Sequence, residues 1–396
     1  MADTVIKNIN WQKVKLGTIA DFSNGRATKI TDSGKFLIYG SNGLIGWGDN
    51  YNYEDGVVIG RVGAYCGSLK YEKSKFWATD NTIVGKLKNE SENKYLYYLL
   101  RILALNHRAG GSAQPLLTQD ILNSIEVIFP IKSDDQKKIA SMLSAFDDKI
   151  EVNNKIVKTL EEMAQVLFKE WFVHLRFTGY EKAEFVDSEL GKIPVGWDVK
   201  NLGQILTLKH GYAFKSEQFT TNKTKNIVVR MGNFQETGGL QFSDNTFYLT
   251  SIDGYANYIL KPSDIVMILS DITRKGRLIG KVGLIPQDEN IYVLNQRVAK
   301  VETEAKYKYF LLLLFNSKIF HQHCLARADS ATVLNLKNEH IYDYQLVVPQ
   351  ESVLKEFNKV SEPILAKLES IREENQKLAA LRDLLLPKLM RGEVGI

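Results

Sequence analysis

The chain has 396 residues, of which 44% are apolar and 24% charged, with a net charge of +5. That is too long for one ordinary core and fits two folded units of about 130 to 160 residues, and the composition is that of a folded rather than a disordered protein. No apolar run approaches the roughly 18 residues of a membrane span, the start lacks the basic-then-apolar layout of a signal peptide, and the only cysteines, Cys66 and Cys324, suit a reducing, cytoplasmic setting better than a disulfide framework.

The first element, Trp11-x4-Leu16-Gly17, recurs as Trp197-x4-Leu202-Gly203. Gly25 and Gly211 keep the same offset, whereas Pro130 and Pro349, after Val-Ile-Phe and Leu-Val-Val, stand further apart, so the second copy carries an insertion. Repetition at this scale implies a tandem repeat with pseudo-twofold symmetry, suited to touching two things a fixed distance apart. The divisions are 1–130, a linking helix 131–185, 186–348 and a second helix 349–396; both globular parts carry a mild basic excess, compatible with nucleic acid and equally with an ordinary solvated surface.

In the first globule, Phe36–Tyr39, Gly56–Gly60 and Thr82–Gly85 read as strands between glycine-rich turns, and Lys94–Asn106 as an apolar helix. The second repeats the scheme with strands at Asn226–Arg230, Asp264–Leu269 and Val293–Val301 and a helix at Ala305–Ser317. The expected fold class is α+β.

The two long helices carry heptad spacing. Ile139, Leu143, Phe146, Ile150, Asn153, Val157, Leu160, Ala164, Leu167 and Trp171 form one seam, closed by Thr178-Gly179. Phe357, Val360, Ile364, Leu368, Ile371, Asn375, Leu378, Arg382, Leu385 and Leu389 form a less regular second, with Pro387 in its last turns. Antiparallel pairing makes partner positions sum to 528 at both ends (139 with 389, 171 with 357) and again for Asn153 with Asn375, so each buried Asn completes the other's hydrogen bonds and sets the register. A helix of about 33 residues is roughly 50 Å long, enough to hold two globules about one DNA turn apart on a duplex, near 34–36 Å.

The Trp-x4-Leu-Gly opening, the loop Gly111-Ser112-Ala113-Gln114-Pro115-Leu116-Leu117 after a helix, the apolar-Pro boundary before a long helix, Glu189-Leu190-Gly191-Lys192-Ile193-Pro194 before Trp197, and the tail Leu381-Arg382-Asp383-Leu384-Leu385-Leu386-Pro387-Lys388-Leu389-Met390-Arg391-Gly392-Glu393 together resemble the specificity subunit of a type I restriction–modification system. The resemblance covers essentially the whole chain. It implies two target-recognition domains, each reading one half of a split double-stranded DNA sequence, and helices that separate them and dock two methyltransferase subunits. Endonuclease/translocase subunits would join that core, with S-adenosylmethionine, ATP and Mg2+ used by those partners and no cofactor in this chain.

The chain has neither the Asn/Asp-Pro-Pro-aromatic motif of an amino-methyltransferase nor a phosphate loop, because Gly276-Arg277-Leu278-Ile279-Gly280-Lys281 is one residue short between its glycines and lacks the hydroxyl. Pro286-x-Asp288 followed by Glu304-x-Lys306 satisfies a loose metal-nuclease pattern, and His321-Gln322-His323-Cys324 a loose metal-binding one, each frequent by chance. Arg suits guanine and Asn or Gln adenine, while Lys and Ser more often hold phosphate. The loop-borne candidates for DNA contact are therefore Arg26, Lys29, Lys35, Arg61, Arg108, Ser112 and Gln114 in the first domain, and His210, Lys215, Arg230, Arg274, Lys275, Arg277, Arg297 and Arg327 in the second. The turn Thr273–Arg277 is the densest, and Arg61 reads equally as a structural arginine in an apolar strand. Against this non-catalytic DNA-recognition subunit stands a coiled-coil scaffold whose globules bind protein or glycan.

Overall fold

The computed structural model describes residues 9–88, 92–110, 115–242, 246–272, 275–330 and 333–394. The chain forms two compact units, Met1–Val152 with Lys377–Ile396, and Asn153–Gln376. Two 40-residue helices, Ser133–Phe172 and Glu351–Met390, each contribute a segment to both units.

In the first unit β1 (Trp11–Lys15) pairs antiparallel with β8 (Glu126–Pro130), Trp11 opposite Pro130, so the domain closes where it opened. Between them β2 (Ala20–Asn24), β3 (Phe36–Gly40), β4 (Gly43–Gly48), β5 (Tyr53–Gly60), β6 (Leu69–Ala78) and β7 (Thr82–Leu87) form one sheet in the order β2-β7-β5-β6-β3-β4. Alternation along β5 sends Val57 and Ile59 to one face, against Ile83 and the helix Asn93–Arg101, while Val58 packs on the other with Tyr39, Phe76 and Val84. That helix stops at Arg101, short of the expected Asn106, because Ala104 turns into the left-handed region at φ 46°. The same core takes in Ile139 and Leu143 from the first long helix and Leu386, Leu389 and Met390 from the second. Arg382, a charge on the apolar seam, is satisfied by ion pairs to Asp147 and Asp383, and Tyr98 donates to Asp147 Oδ2 at 2.5 Å.

The second unit repeats the closure: β11 (Asp198–Asn201), preceded by the hairpin β9 (Phe185–Ser188) and β10 (Gly191–Pro194), pairs with β24 (Gln345–Val348). Its interior is split between two larger sheets. One runs β12 (Leu206–His210), β21 (Val298–Thr303), β17 (Ile265–Ile268), β19 (Val282–Leu284). The other runs β13 (Phe219–Thr220), β15 (Phe247–Leu249), β14 (Asn226–Val229), β20 (Ile291–Leu294), β16 (Ile259–Leu260). A small sheet joins β18 (Ser270–Asp271), β23 (Leu334–Asn335) and β22 (Asp329–Ser330). The run Val293–Val301, read as one strand, is therefore two, β20 and β21: the Asn295 carbonyl accepts from Val298 N at 2.9 Å and the turn passes the chain from one sheet to the other.

Within this unit the long helices lie antiparallel. Asn153, 1% exposed, donates through Nδ2 to Asn375 Oδ1 and to Glu374 Oε2, both at 2.9 Å, and Asn375 donates to Asn154 Oδ1 at 2.9 Å. Further along, Trp171, Phe172 and Phe357 meet in tilted and edge-on ring contacts, and Arg372 binds Glu161 at 2.5 Å, Glu369 at 2.7 Å and the Gly238 carbonyl at 2.9 Å, fastening both helices to one domain turn. Two details depart from the heptad reading. The second seam steps Leu354, Phe357, Ser361, Leu365, Leu368, all buried, which leaves Val360 outside and 46% exposed. The first helix ends at Phe172, before Thr178-Gly179, in a turn where Leu175 has φ 55° and Arg176 N donates to the Glu170 carbonyl.

Asn375→Leu strips the buried Asn153 amide of one acceptor and is expected to cost about 1–3 kcal/mol in urea denaturation, whereas Leu at both positions restores or exceeds wild-type stability.

Candidate nucleic-acid interface

Among the described strands each domain contains one parallel pair, β3 with β6 in the first and β14 with β20 in the second. The rest of each sheet is antiparallel. The carboxyl ends of parallel strands are where chain segments diverge and leave a crevice. In the first domain these ends are Gly40 and Ala78, in the second Val229 and Leu294.

The repeat glycines lie at this point. Gly25 N donates to the Thr82 carbonyl and Arg26 N to that of Ala78; Gly211 N donates to Val298 and Tyr212 N to Leu294 in the same pattern. A Cβ on Gly25 would lie 2.1 Å from the Thr79 carbonyl oxygen, and one on Gly211 2.3 Å from that of Asn295. Only glycine lets the strand end cross so close to another backbone.

A second shared device escaped the sequence reading. Gly63-x3-Gly67 recurs as Gly276-x3-Gly280, and all four glycines have positive φ: 70° and 84°, 59° and 75°. The corresponding bonds match: Cys66 N to Gly63 O and Ile279 N to Gly276 O, Gly67 N to Gly60 O and Gly280 N to Ile268 O. The signal was present as an internal repeat, but the second domain's insertion gives it a different offset from that of Trp11 and Gly25.

In the first domain the strand ends open into a cleft of about 400 Å³ lined by Thr28, Ile30, Ser41, Asn42, Ile45, Val62, Tyr65, Thr79, Asp80 and Asn81 among others. Tyr65 is 60% exposed. Arg26 and Lys29 are exposed on the loop that follows the glycine crossing, and Arg61 is half-buried next to Val62. Arg61 Nε and Thr79 Oγ1 are both buried with no hydrogen-bond partner among the described residues, the condition that an acceptor on a ligand relieves. Arg61 is thus not paired off as a structural arginine; its backbone carries the structural duty, its N–H donating to Asn81 and its carbonyl accepting from Leu117. Lys35 stands at the opposite end of β3, over the Phe36 ring at 5.4 Å, and Arg108 donates through Nε to the Leu103 carbonyl beside a separate concavity with Ser124 and Glu126, so neither lines this cleft. Ser112 and Gln114 lie outside the described residues; Gly63 N donates to the carbonyl of Pro115.

In the second domain Arg230 leaves β14 and Arg297 occupies the turn between β20 and β21. The Arg230 guanidinium lies 3.8 Å from the Phe247 ring centroid and 5.3 Å from that of Phe219. Burial, and then the charge of Arg297, hold the Arg230 pKa below the ordinary arginine value. The same loops carry an aromatic group, Tyr212 within 4.9–5.3 Å of Phe214, Tyr255 and Tyr258, rings that no sequence pattern had marked. Lys215 is exposed on the loop after Phe214, and His210 at the end of β12 hydrogen-bonds through Nε2 to Asn338 Oδ1 at 2.8 Å. Lys275 is exposed, Arg277 is paired with Glu236 at 2.8 Å, Arg274 lies outside the described residues, and Arg327 ends the helix Lys318–Arg327 near His323.

The loose metal patterns resolve into local structure. Asp288 accepts from Asn290 and from Tyr292 Oη, Glu304 pairs with Lys306 at 2.8 Å, and His321 and His323 each bond a backbone carbonyl, at Ile279 and His340, with burial lowering both pKa values. Burial pushes the Cys324 thiol up to about 12, the opposite of a reactive thiolate.

Comparison with known proteins fits the repeat. The family model for the type I restriction modification DNA specificity domain matches residues 8–162 and again 194–381. The chain belongs to the type I specificity-subunit family. It is 28% identical to a type I restriction enzyme specificity subunit, MjaIX, of Methanocaldococcus jannaschii, over 77% of this chain and 69% of that one. It is 24% identical to a putative type I specificity subunit of Mycoplasma genitalium, over 96% and 94%. The fold is that of the crystallised type I restriction–modification S subunit from M. genitalium, with a TM-score of 0.60 at 18% identity over 97% of this chain and 96% of that one. No described helix is long and apolar enough to cross a membrane.

Gly25→Ala and Gly211→Ala force a backbone crossing apart, and each is expected to destabilise its own unit by about 1–3 kcal/mol, read as a lowered thermal midpoint with the long helices still formed by circular dichroism.

Proposed function

We propose that this chain is the non-catalytic DNA-reading subunit of a cytoplasmic type I restriction–modification complex, each domain recognising one half of a bipartite, asymmetric site. The observation that carries this reading is the repeated backbone frame at the strand ends, which presents different side chains in the two domains. The carbonyl of Asn81 accepts from Arg61 N as that of Arg297 accepts from Leu269 N, so Asn81 and Arg297 are counterparts. Thr79 likewise corresponds to Asn295 and Arg26 to Tyr212. Equal frames with unequal donors and acceptors read unequal sequences.

The helices supply the docking surface for two methyltransferase subunits in this reading. Leu381 and Leu384, 48% and 57% exposed, stand on the first unit's helical segment, and Met163 and Val166, 51% and 60% exposed, on the second's, which gives each unit an unpartnered apolar pair. Endonuclease/translocase subunits join that core, and S-adenosylmethionine, ATP and Mg2+ serve those partners rather than this chain.

Long-read mapping of modified adenines in cells carrying the chain with its methyltransferase is expected to show a split, asymmetric motif that vanishes on deletion, and exchanging residues 1–130 should change one half only. The purified complex should bind duplex DNA with log K falling against log salt at about −0.9 per phosphate neutralised; salt-independent behaviour, or no duplex affinity, would favour the protein- or glycan-binding scaffold. Leu381→Ser with Leu384→Ser is expected to reduce methyltransferase co-purification with little change in the thermal midpoint, because both side chains are already about half exposed.

A further inference from the structure

We propose that Arg230 reads a guanine in the half-site held by the second domain. The inference rests on the DNA-recognition reading above and names the residue that determines one base of it.

Arg230 stands where β14 ends, at the carboxyl end of the parallel pair, and its own N–H is pinned by the Asn233 side chain at 2.9 Å. Its guanidinium is laid against Phe247 and Phe219, which fixes the plane of a fork that would otherwise rotate freely. Three other stacked or part-buried arginines are spoken for: Arg372 has Glu161 and Glu369, Arg382 has Asp147 and Asp383, and Arg101 has Asp383. Arg230 has no carboxylate within ion-pair distance among the described residues, and the charged group acting on it is a second cation, Arg297. A guanidinium in the field of a second one, with no acid paired to it among the described residues, favours a ligand rich in acceptors.

The stacking decides between the acceptors a duplex offers. A phosphate is held well by an exposed, mobile cation, and Lys215 and Arg297 are both exposed beside the same loops. A planar fork fixed on aromatic rings matches instead the paired O6 and N7 of guanine in the major groove, which needs orientation as much as charge. The first domain has Gly40 at the equivalent strand end, so the two halves differ here by the presence of the reading group itself.

The test uses the complex with its methyltransferase and a panel of duplexes in which each base pair of the mapped site is replaced in turn. Arg230→Met keeps a side chain over Phe247 without donors; Arg230→Lys keeps the charge without the fork, and serves should the Met variant fail to fold by circular dichroism. Both are expected to lose about tenfold to a hundredfold of discrimination at one G·C pair of the second half-site, with the penalties at every other position unchanged. Weakening by the same factor on every duplex, with each penalty retained, would make Arg230 a phosphate contact and overturn the proposal, as would an unchanged profile. A wild-type complex that binds all duplexes alike would overturn the DNA-specificity reading and this one with it.

Discussion

Each domain is a closed excursion of the chain, and the constraint that closes it is the pairing of its first strand with its last. β1 and β8, then β11 and β24, bring the entry and exit of a long, irregular path to one place and aim the exit into a long helix. Whatever the strands between them do, the start and finish are held by backbone hydrogen bonds and by Leu16 and Leu202, both fully buried. The loops at the far ends of the strands are therefore free to differ. The second domain uses that freedom to split its interior into two sheets without altering how it is joined to its helices.

The helices face a different demand, because their apolar seams must choose one register among several spaced by a few residues. Leucine and isoleucine pack almost as well after a shift, whereas buried polar groups do not. Asn153 with Asn375, Arg372 with Glu161 and Glu369, and Arg382 with Asp147 distribute that choice over both units. Two carboxylates share Arg372, and burial raises the pKa values of both Glu161 and Glu369, so this node is held together by its hydrogen bonds at least as much as by net charge.

The long helices and their facing asparagines were readable because both rest on periodicity and on pairing of residues far apart at predictable positions. Strands such as β5 and β7 were readable for the same reason, being short apolar runs between glycines. Val360 was misplaced because the seam shifts by one residue at Ser361, a polar residue that a hydrophobic pattern skips. The break between β20 and β21 is marked by three consecutive polar residues, Asn295, Gln296 and Arg297, which no alternating strand carries, but the apolar runs on either side mask it. At the interface, charge alone could not separate Arg230 from Arg277. One is laid on two rings that come from β13 and β15, distant in sequence, and the other is neutralised by Glu236, also distant. Only the folded chain shows which arginine is free to act.

Because a domain's two ends lie side by side, the stretch of gene between them behaves as a cassette. A recombination event with breakpoints near Leu16 and Ile125, whose backbones are bonded to each other through Leu16 N and the Ile125 carbonyl at 2.8 Å, would import a foreign interior while leaving the joint intact. The second domain carries the same joint at Leu202 and Tyr344, bonded at 3.0 Å. Heredity can thus replace one domain's interior in a single step, without passing through an unfolded ancestor.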